Sequence, residues 1–450
     1  MEINVPKPLI KLSKALGAPI YIVGGYVRNA LASLPPSDID ICGPFLLDES
    51  NLPDGFKIIS VYKRMGTCLI KSVEDPSVIM EYTAFRREEY QPGGGHTPIK
   101  VEFVTDISED ALRRDFTANS IYYDVANSRL IDPLGGVEDV KNRRLRAHEA
   151  KIVFGSDGLR LMRLARIAAE TGFDIDKETF EIAKASCSLL EDITPNRKYE
   201  ELDKILHADL KYGVKDAHFR GLMLLKEMNL LKFIIPELND LDSLAQPIYH
   251  KYDALMHTFM TVKEASPRLR LAALLHDIGK AKVFKETGKF HGHDKEGAEI
   301  TKRLLGKDMF NLPLKEATRV VELVRLHMYD GDGKTRSGKM RLFVAKNSAI
   351  VYDLQELMRA DAVATGFNPS KKIRLIDFYE QLVKEKAPLR YTDLKISGSE
   401  LISIGYQGAE IKEELDALLR DCILNPNLNK RKKLKELSLK AYCTKRNNQL

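Results

Sequence analysis

The order of apolar and polar residues predicts a mixed α/β first third followed by helices. Short apolar runs typical of strands occur at 21–23, 56–62, 67–71, 78–83 and 100–104, and a helical pattern covers 8–16 and stops at Gly17. Apolar residues recur at helical spacing from about residue 157 onward. These patterns predict an α+β fold, with an N-terminal mixed sheet and its helices followed by an all-helical remainder.

The first candidate chemistry follows the first predicted strand. The strand ends at Gly24 and Gly25, a helix-like run with Arg28 comes next, and Asp38 and Asp40 then flank one apolar residue. This order predicts strand, glycine turn, helix and strand, and side chains two apart on a strand share a face. Two such carboxylates can hold divalent cations, while a glycine turn and an arginine can bind phosphate. The combination is typical of metal-assisted nucleotidyl transfer.

Short motifs of this kind also have simpler explanations. A glycine pair alone is usually a turn, and Asp-Ile-Asp alone is more often a solvated strand end. Glu81, in the strand-like run 78–83, is a candidate third catalytic carboxylate, although a surface glutamate fits the pattern equally well. Residues 84–98 contain three glycines and two prolines, which predicts a mobile loop.

A cluster of two arginines and an acid follows this loop. Residues 108–124 predict a capped helix that carries Arg113, Arg114 and Asp115. These side chains suit a triphosphate and a ribose hydroxyl, because guanidinium binds phosphate and carboxylate accepts from hydroxyls. An ordinary surface cluster has the same composition, so the pattern alone leaves both explanations open.

The next cluster has the spacing of one helix face. Asp157, Arg160, Arg163 and Arg166 recur at steps of three on a predicted amphipathic helix. A carboxylate can accept from the exocyclic amino group of cytosine or adenine while a guanidinium donates to the adjacent ring nitrogen. Uracil and guanine present the opposite polarity. The pair Asp157 and Arg160 therefore predicts selection of C and A without a nucleic-acid template.

Composition narrows the class of protein. With 450 residues, 44% of them hydrophobic, the chain is long enough for two to four domains, and its net charge of +6 is compatible with a polyanionic partner. The five cysteines are scattered without a CxxC pair, which predicts a cytoplasmic location and argues against disulfides or a zinc finger. No run approaches the roughly 20 apolar residues of a membrane span, so no membrane partner is expected.

Together the motifs resemble those of the bacterial tRNA nucleotidyltransferases and poly(A) polymerases, the CCA-adding family. The matching segments are VGGYVR with DID, RRDFT at 113–117, DPLGG at 132–136, Asp157 with Arg160, and NRKYEELDKIL at 196–206. The resemblance implies template-independent addition of C, C and A to the 3′ end of tRNA from CTP and ATP, with release of pyrophosphate. Poly(A) polymerases have nearly the same motifs, so addition of A alone is the nearest alternative.

The resemblance also implies roles for individual residues. Asp38 and Asp40 are expected to bind two Mg²⁺ ions, with Glu81 as the candidate third catalytic carboxylate. The expected nucleotide-binding set comprises Gly24, Gly25, Arg28, Arg114, Asp115, Asp157, Arg160, Arg163 and Arg166.

Two positions depart from the family pattern. Asn29 stands where many members have Asp after the arginine, and Ser156 replaces the usual Glu before Asp157. The predicted loop 84–98 is present, whereas members that add only the two cytidines lack it. Its presence favours addition of all three nucleotides.

The second half carries a separate series of histidines and aspartates. In order they are His257, His276 with Asp277, His291, His293, His327 and Asp361. A single helical histidine is usually structural, but packing does not explain an ordered series of this kind. The series resembles the HD superfamily of metal-dependent phosphohydrolases. It implies a second divalent metal, held by His257, His276, Asp277 and Asp361 with His291 and His293 as further candidates, and a retained fold without activity is the alternative.

These signals divide the chain into four predicted parts. They are a nucleotidyltransferase head (1–145), a nucleotide-recognition helical neck (146–210), an HD-type helical domain (211–365) and a helical tail (366–450). In the tail, residues 430–446 contain eight Lys or Arg against one Glu, which predicts either a solvated helix face or a contact with the tRNA backbone. Two further alternatives are an HD phosphohydrolase with a non-catalytic RNA-binding head and a purely RNA-binding module.

Overall fold

A computed structural model describes residues 3–91, 95, 97–245, 252–330, 333–366 and 373–447. The chain forms two compact units. The first unit contains Met1–Asp242 with Arg303–Leu312, and the second contains Ser243–Lys302 with Pro313–Leu450. The expected α+β fold is confirmed, since a mixed sheet and its helices precede a helical remainder.

The sheet of the first unit contains seven of the described strands, in the order β3-β4-β5-β2-β1-β8-β9. Parallel pairing occurs between β2 and β5, and the other neighbours in this sheet are antiparallel. The strands of this sheet are β1 (Tyr21–Val23), β2 (Ile39–Gly43), β3 (Phe56–Tyr62), β4 (Thr67–Ser72), β5 (Ile79–Ala84), β8 (Tyr122–Asp124) and β9 (Arg129–Ile131). A separate hairpin pairs β6 (Arg86–Glu89) with β7 (Lys100–Phe103).

Four helices accompany this sheet, α1 (Lys7–Leu16), α2 (Gly25–Ala32), α3 (Ile107–Leu112) and α4 (Gly136–Lys141). One apolar cluster joins the central strands to the segment around α3, because Val23, Cys42, Phe85, Ala111 and Tyr122 are buried together. This packing fixes the end of β1, where the glycine turn begins. The region that carries the predicted chemistry therefore stands on a buried support.

The predicted strands and the first helix occur within one or two residues of their expected bounds, but two local predictions are wrong. The predicted helix after residue 108 ends at Leu112, so Arg113, Arg114 and Asp115 follow it instead of lying on it. Part of the predicted mobile loop 84–98 is strand β6, because its backbone pairs with β7. Residues 92–94 and 96 of that loop lie outside the described part of the chain.

Helices dominate the rest of the first unit. They are α5 (Ala150–Ser156), α6 (Leu159–Thr171), α7 (Lys177–Ala185), α8 (Pro195–Leu206), α9 (Ala208–Tyr212), α10 (Ala217–Glu227), α11 (Leu231–Ile234) and α12 (Pro236–Asn239). One departure from the predicted all-helical neck is a short parallel pair of β10 (Arg144–Leu145) with β11 (Asp174–Ile175). Helix α6 is the buried centre of this region, since Leu161, Met162 and Leu164 are fully enclosed.

The second unit is helical throughout its described residues. Its helices are α13 (Ala254–Glu264), α14 (Arg270–Leu275), α15 (Lys280–Thr287), α17 (Leu314–Leu326), α18 (Ser337–Lys346), α19 (Val351–Ala364), α20 (Leu375–Lys384), α21 (Gly398–Ile404), α22 (Ala409–Leu424) and α23 (Arg431–Asn447). Helix α16 (His293–Leu304) begins in this unit and ends in the first, where Phe310 stacks on Tyr199 with ring centroids 5.0 Å apart.

The C-terminal helices have a small core of their own. Leu401, Tyr406, Leu418, Cys422 and Leu434 are buried in one cluster. The predicted start of this tail, residue 366, directly precedes residues 367–372, which lie outside the described part of the chain. Within the described residues, none of the helices is both long and apolar enough to cross a lipid bilayer.

Candidate active site and candidate metal centre

A cleft of about 1580 Å³ in the first unit collects most of the residues that the motifs indicated. The turn between β1 and α2, the strands β2 and β5, and the helices α6, α8 and α9 all contribute to its walls. Every predicted catalytic and nucleotide-binding residue lines it: Gly24, Gly25, Arg28, Asp38, Asp40, Glu81, Arg114, Asp115, Asp157, Arg160, Arg163 and Arg166. Residues spread over more than 140 sequence positions are thus brought to one cavity.

Asp40 and Glu81 form the carboxylate pair at the centre of the cleft. They are register partners on the parallel strands β2 and β5, so their side chains point to the same face of the sheet. Burial, and then the neighbouring Glu81 carboxylate, raise the pKa of Asp40 to about 6. A cation bound beside Asp40 and Glu81 would offset the repulsion between their two negative charges. The pair is therefore electrostatically suited to bind a divalent metal.

Asp38 does not lie on the same strand as Asp40, contrary to the prediction. It precedes β2 instead of lying on it, and its side chain is 94% exposed, with Lys211 Nζ 3.8 Å from its Oδ2 atom. The carboxylate oxygens of Asp38, Asp40 and Glu81 do not all approach within 4.8 Å of one another, whereas two sets of ligands elsewhere in the described residues do. The predicted pair therefore consists of one partly buried and one open carboxylate.

The glycine turn at Gly24 and Gly25 lies directly against the Asp40 carboxylate. Gly24 has a φ of +78°, and a Cβ atom there would stand 3.1 Å from Oδ2 of Asp40. A Cβ on Gly25 would meet the Ser37 hydroxyl at 2.8 Å. Both glycines are thus required by backbone conformation or close approach. The backbone N–H groups at the start of α2 consequently lie beside the carboxylates, where a phosphate group could approach both.

Arg28 is a buried cation held by neutral partners. Its Nε and Nη2 atoms donate to Oδ1 of Asn29 at 3.1 and 2.8 Å, and Nη1 donates to Oδ1 of Asn119 at 2.6 Å. Nη2 also reaches the Tyr212 hydroxyl at 3.4 Å. Burial lowers the pKa of Arg28 from its ordinary value, because these hydrogen-bond partners carry no charge. The side chain is positioned to receive an anion, and Asn29, the departure from the family pattern, positions it.

The two arginines after α3 share a buried acid that the sequence did not single out. Asp110 accepts from Nε of Arg113 at 2.8 Å and from Nη2 of Arg114 at 2.9 Å. The Tyr122 hydroxyl donates to the same carboxylate at 2.8 Å. Asp110 therefore fixes both guanidinium groups at the wall of the cleft.

Asp115 forms an ion pair with Arg163 of helix α6. Its Oδ2 accepts from Nε of Arg163 at 3.0 Å, and its Oδ1 accepts from the Asn119 side chain at 2.9 Å. Burial alone would raise the pKa of Asp115, but Arg163 and Asn119 hold it well below its usual range. Arg166 is similarly paired, with Glu201 at 2.7 Å and Glu170 at 3.0 Å.

The predicted base-reading pair, Asp157 and Arg160, also lines the cleft. Asp157 is not on α6 but precedes it, where its Oδ1 accepts from the Leu159 backbone N–H at 2.9 Å. Burial raises the pKa of Asp157 to about 6, although the nearby Arg160 opposes this. Helix α6 begins at Leu159, after Asp157 and Gly158, yet Asp157 and Arg160 still line the same cleft.

Arg160 is held by three hydrogen bonds. Nη1 donates to the Val153 carbonyl at 3.1 Å and to the Ser156 hydroxyl at 2.9 Å, and Nη2 donates to the Arg113 carbonyl at 2.6 Å. These bonds use three of its five guanidinium N–H groups. Ser156, the second departure from the family pattern, thus orients the arginine instead of pairing with its charge.

The strand β6 adds cleft residues that the sequence analysis missed. Glu88 accepts from Nε of Arg86 at 2.6 Å and from the Tyr90 hydroxyl at 2.5 Å, and Arg113 Nη1 lies 3.7 Å from it. The only sequence signal was that Arg86, Glu88 and Tyr90 lie within the predicted glycine-rich loop 84–98. Asn119, Lys211 and Tyr212 were missed as well, since nothing in their local sequence marks them.

The second glycine pair, Gly135 and Gly136, forms a structural turn before α4. Asp132 accepts from the backbone N–H groups of Gly136 and Val137 at 2.7 and 2.9 Å, which fixes the start of α4. The buried Asp139 accepts from Nε of Arg144 and Arg146. This neutralises part of the basic run that follows.

The histidine series of the second unit forms a buried cluster. Nε2 of His276 lies 3.2 Å from Oδ2 of Asp277, and Nε2 of His293 lies 3.2 Å from Oδ1 of the same aspartate. Nε2 of His257 is 2.9 Å from Oδ1 of Asp361. Two sets of ligands, His257 with His276 and Asp277, and Asp277 with His293 and His327, each have all their ligand atoms within 4.8 Å.

The cluster has the supports of a metal site. Nδ1 of His276, His293 and His327 each contacts the backbone carbonyl three residues earlier, at 2.7, 2.7 and 2.6 Å. Such contacts turn Nε2 inward and fix the tautomer. Burial, and then the imidazoles of His276 and His293, lower the pKa of His327 to about 4, so this ring is neutral at pH 7 and able to bind a cation. The donor set of imidazoles and carboxylates fits a divalent metal.

Two details of this cluster differ from the predicted ligand set. His291 is exposed and does not belong to either set of approaching ligands among the described residues. His327, part of the series but not among the predicted ligands, does belong to one. Lys280 Nζ is 2.6 Å from Oδ2 of Asp277, which shows that this carboxylate already attracts a cation.

Three protein families match separate parts of the chain. The Poly A polymerase head domain family matches residues 20–146, and the HD domain family matches residues 248–366. Between them, the family described as the probable RNA and SrmB-binding site of polymerase A matches residues 172–241.

Individual relatives point in the same direction. The A-adding tRNA nucleotidyltransferase of Deinococcus radiodurans is 34% identical over 59% of this chain, and the match spans 62% of that protein, less than two thirds of it. The multifunctional CCA protein of Haemophilus ducreyi is 30% identical over 68% of this chain and 74% of that protein. A solved structure of the Bacillus stearothermophilus CCA-adding enzyme in complex with CTP covers 98% of both chains with a TM-score of 0.72 and 23% identity, which shows a shared fold.

Proposed function

The chain belongs to the family of CCA-adding tRNA nucleotidyltransferases and poly(A) polymerases, and on this premise we propose that it adds C, C and A to the 3′ end of tRNA. The substrates are CTP and ATP, and pyrophosphate is released. The observation that carries the proposal is one cleft that holds the Asp40 and Glu81 pair, the buried cation Arg28, and Asp157 with Arg160. A carboxylate pair, a phosphate site and a base-reading pair are the parts that template-independent transfer needs.

Asp38 and Asp40 would hold Mg²⁺, because Asp40 is a partly buried carboxylate beside Glu81 and Asp38 is a solvent-exposed carboxylate that lines the same cleft. When bound, Mg²⁺ would lower the pKa of the attacking hydroxyl and neutralise charge on the triphosphate. Glu81 would support Asp40 from the adjacent strand.

The remaining cleft residues would position the triphosphate and the sugar. Arg28 and the N–H groups after Gly24 face the site from the turn, and Arg114 is fixed by Asp110. The tRNA 3′-hydroxyl oxygen attacks the α-phosphorus, and the bond to the bridging oxygen of pyrophosphate breaks. Asp115 accepts a hydrogen bond from Arg163, and this hydrogen-bonded pair would orient the ribose.

Asp157 and Arg160 would select the base. Asp157 accepts from the amino group of cytosine or adenine, and Arg160 donates through the N–H groups that its three internal bonds leave. Arg166, tied to Glu201 and Glu170, would hold the neighbouring helix in place.

The decisive experiment is to sequence the product ends. tRNA that lacks its CCA end is incubated with the protein and all four nucleoside triphosphates. We expect ends that read C, CC and CCA, without U or G. In a parallel reaction with tRNA that ends in CC, addition of a single A, without any addition to tRNA that lacks CCA, would match the Deinococcus relative instead. Long A tails would identify a poly(A) polymerase, and no addition to either tRNA would refute the proposal.

A second function is favoured by the histidine cluster. We propose that the second unit hydrolyses phosphoesters with divalent metal held by His257, His276, Asp277, His293 and His327. Asp361, whose Oδ1 lies 2.9 Å from Nε2 of His257, is a further candidate ligand. Asp277 presents one oxygen to His276 and the other to His293, which suits two ions that share it. Metal supplied to this site would activate water for attack on phosphorus.

Metal content tests the second function. The purified chain is dialysed against Mn²⁺ or Ni²⁺, and bound metal is measured together with hydrolysis of bis(p-nitrophenyl) phosphate. We expect two ions lost in Asp277→Ala and one lost in His327→Ala, while His291→Ala keeps both. Wild-type protein without bound metal or hydrolysis would indicate a retained fold without this activity.

The four predicted parts of the chain, including a tail that contacts tRNA, are also proposals. In the basic helix α23, Arg431 and Lys435 pair with Glu400, while Lys432 and Lys433 lie exposed beside them. This arrangement supports contact with a phosphate backbone. The cytoplasmic location stays a prediction.

A further inference from the structure

Lys211 lies at the open carboxylate of the cleft. It belongs to α9, and its Nζ atom is 3.8 Å from Oδ2 of Asp38. Both side chains reach solvent, since that of Asp38 is 94% exposed and that of Lys211 is 44% exposed. An ion pair this open is weak, and its partners separate easily.

The backbone that carries Lys211 is fixed, although its side chain is not. Ala208, at the start of α9, is buried with Ala169 and Ala217. The neighbouring Tyr212 accepts a hydrogen bond from Arg28, and Gly213 ends the helix with a φ of +72°. The four-carbon stem of lysine lets the ammonium move within a small sphere around this anchor.

The two aspartates are thus compensated in different ways. Asp40 is partly buried beside Glu81 and lacks a lysine or arginine ion pair among the described contacts, whereas Asp38 has Lys211. A divalent cation bound by both aspartates would compete with Lys211 for Asp38.

We infer that Lys211 is a placeholder cation, which a divalent metal displaces from Asp38 and which then binds a phosphate of the incoming substrate. The inference rests on the proposed metal role of Asp38. Lys211 lines the same cavity as Gly24 and Arg28, so its released ammonium remains at the phosphate end of the cleft. Metal entry therefore creates a phosphate-binding group, which couples the two ligands.

The coupling predicts opposite effects of one substitution. Lys211→Met keeps the length of the side chain and removes its charge. Binding of Mn²⁺ without nucleotide should become two- to fivefold tighter, because the competing cation is gone. Binding of CTP in saturating Mn²⁺ should become three- to tenfold weaker, because a phosphate contact is lost. A role in packing alone would not produce opposite signs.

The experiment titrates the full-length chain with Mn²⁺ and follows free Mn²⁺ by electron paramagnetic resonance. Asp38→Asn identifies the ion bound in the cleft, because this ion alone should be lost. Lys211→Arg should behave like the wild type in the phosphate measurement. Lys215→Met is the matched control, since Lys215 is exposed four residues later and does not line the cleft.

Each outcome has a separate meaning. Unchanged or weaker Mn²⁺ binding in Lys211→Met overturns the inference, as does unchanged CTP affinity. If Asp38→Asn removes no ion from the wild-type count, the proposed metal role of Asp38 fails instead. Equal effects of Lys215→Met and Lys211→Met would show a general surface-charge effect and also overturn the inference.

Discussion

The cleft of the first unit and the histidine cluster of the second both gather acidic side chains, but they compensate them differently. In the cleft, Asp40 is partly buried beside Glu81 while Asp38 is exposed, and the nearby cations belong to separate elements. In the cluster, Asp277 is surrounded by imidazoles whose Nδ1 atoms contact backbone carbonyls. Preformed ligand geometry suits a resident metal, whereas an incomplete carboxylate set suits an exchangeable metal whose coordination the nucleotide completes.

The sharpest way to break this comparison is to inactivate one centre and measure both. Asp40→Asn should reduce nucleotide addition by at least about a thousandfold, because a neutral amide cannot replace a metal-binding carboxylate. Phosphoester hydrolysis should be unchanged. Asp277→Asn should give the reverse pattern. Loss of both activities in either variant, with a normal circular dichroism spectrum, would show that the centres are not independent.

Base selection belongs to the cleft alone and gives the second largest effect. Asp157→Ala should slow CTP and ATP addition by about a hundredfold and relax selection against UTP and GTP, because the acceptor for the amino group is lost. Competition between labelled nucleotides measures both quantities. Unchanged nucleotide preference would contradict the role given to Asp157.

Acid should affect the cleft through groups whose pKa is raised. The pKa of Asp40 and of Asp157 is about 6, so both are mainly ionised at pH 7.5 and gain protons as the pH falls through 6. The ionised fraction of each group falls about tenfold between pH 7 and pH 5, so addition at limiting Mg²⁺ should drop about tenfold if one group governs it and about a hundredfold if both must be ionised. Excess Mg²⁺ should move this decrease to lower pH if Asp40 dominates, since metal competes with the proton. A decrease that ignores Mg²⁺ would point to Asp157.

Asn29 offers a milder change at the phosphate end. Asn29→Asp keeps the acceptor for Arg28 but places a fixed negative charge beside it. We expect CTP and ATP to bind about three- to tenfold more weakly, because the guanidinium is already partly neutralised. Isothermal titration with a non-hydrolysable nucleotide measures this, and Asn29→Gln controls for side-chain size. Tighter binding in Asn29→Asp would contradict the anion role of Arg28.

The smallest expected effect is on stability. A carboxylate whose folded-state pKa is raised destabilises the fold at pH values above that pKa, and this cost disappears when the group is protonated or replaced. Asp40→Asn should therefore raise the melting temperature by about 2–5 °C at pH 8 and by less at pH 5. Differential scanning calorimetry without metal measures the shift. Equal shifts at both pH values would show that charge is not the cause.

The sequence revealed those features that depend on neighbouring residues. The strand at 56–62 and the glycine turn before α2 were predictable, because local periodicity and backbone conformation determine them. The buried Asp110, which fixes Arg113 and Arg114, was not, since nothing in its local sequence marks it. Lys211 and Tyr212 were also invisible, because their partners lie more than 170 residues earlier in the chain.

The histidine cluster shows the same limit at finer scale. The ordered series indicated a metal site, but it could not separate the exposed His291 from the buried His293, two residues later. That choice depends on where α16 begins and on the carbonyl of Phe290, which contacts Nδ1 of His293. His327 joins the cluster for a similar reason, through the carbonyl of Val324.

Helix α16 has a consequence for dissecting this protein into fragments. It begins with a histidine of the cluster and ends in the segment Arg303–Leu312, which belongs to the first unit and supplies the Phe310 ring that stacks on Tyr199. A gene truncated after Asp242 would therefore encode a first unit with an exposed Tyr199 face, and an internal deletion of the cluster would sever the same helix. The cleft and the histidine cluster therefore depend on one continuous helix. Point substitutions, and not truncations, are the means to inactivate one of them while the other stays intact.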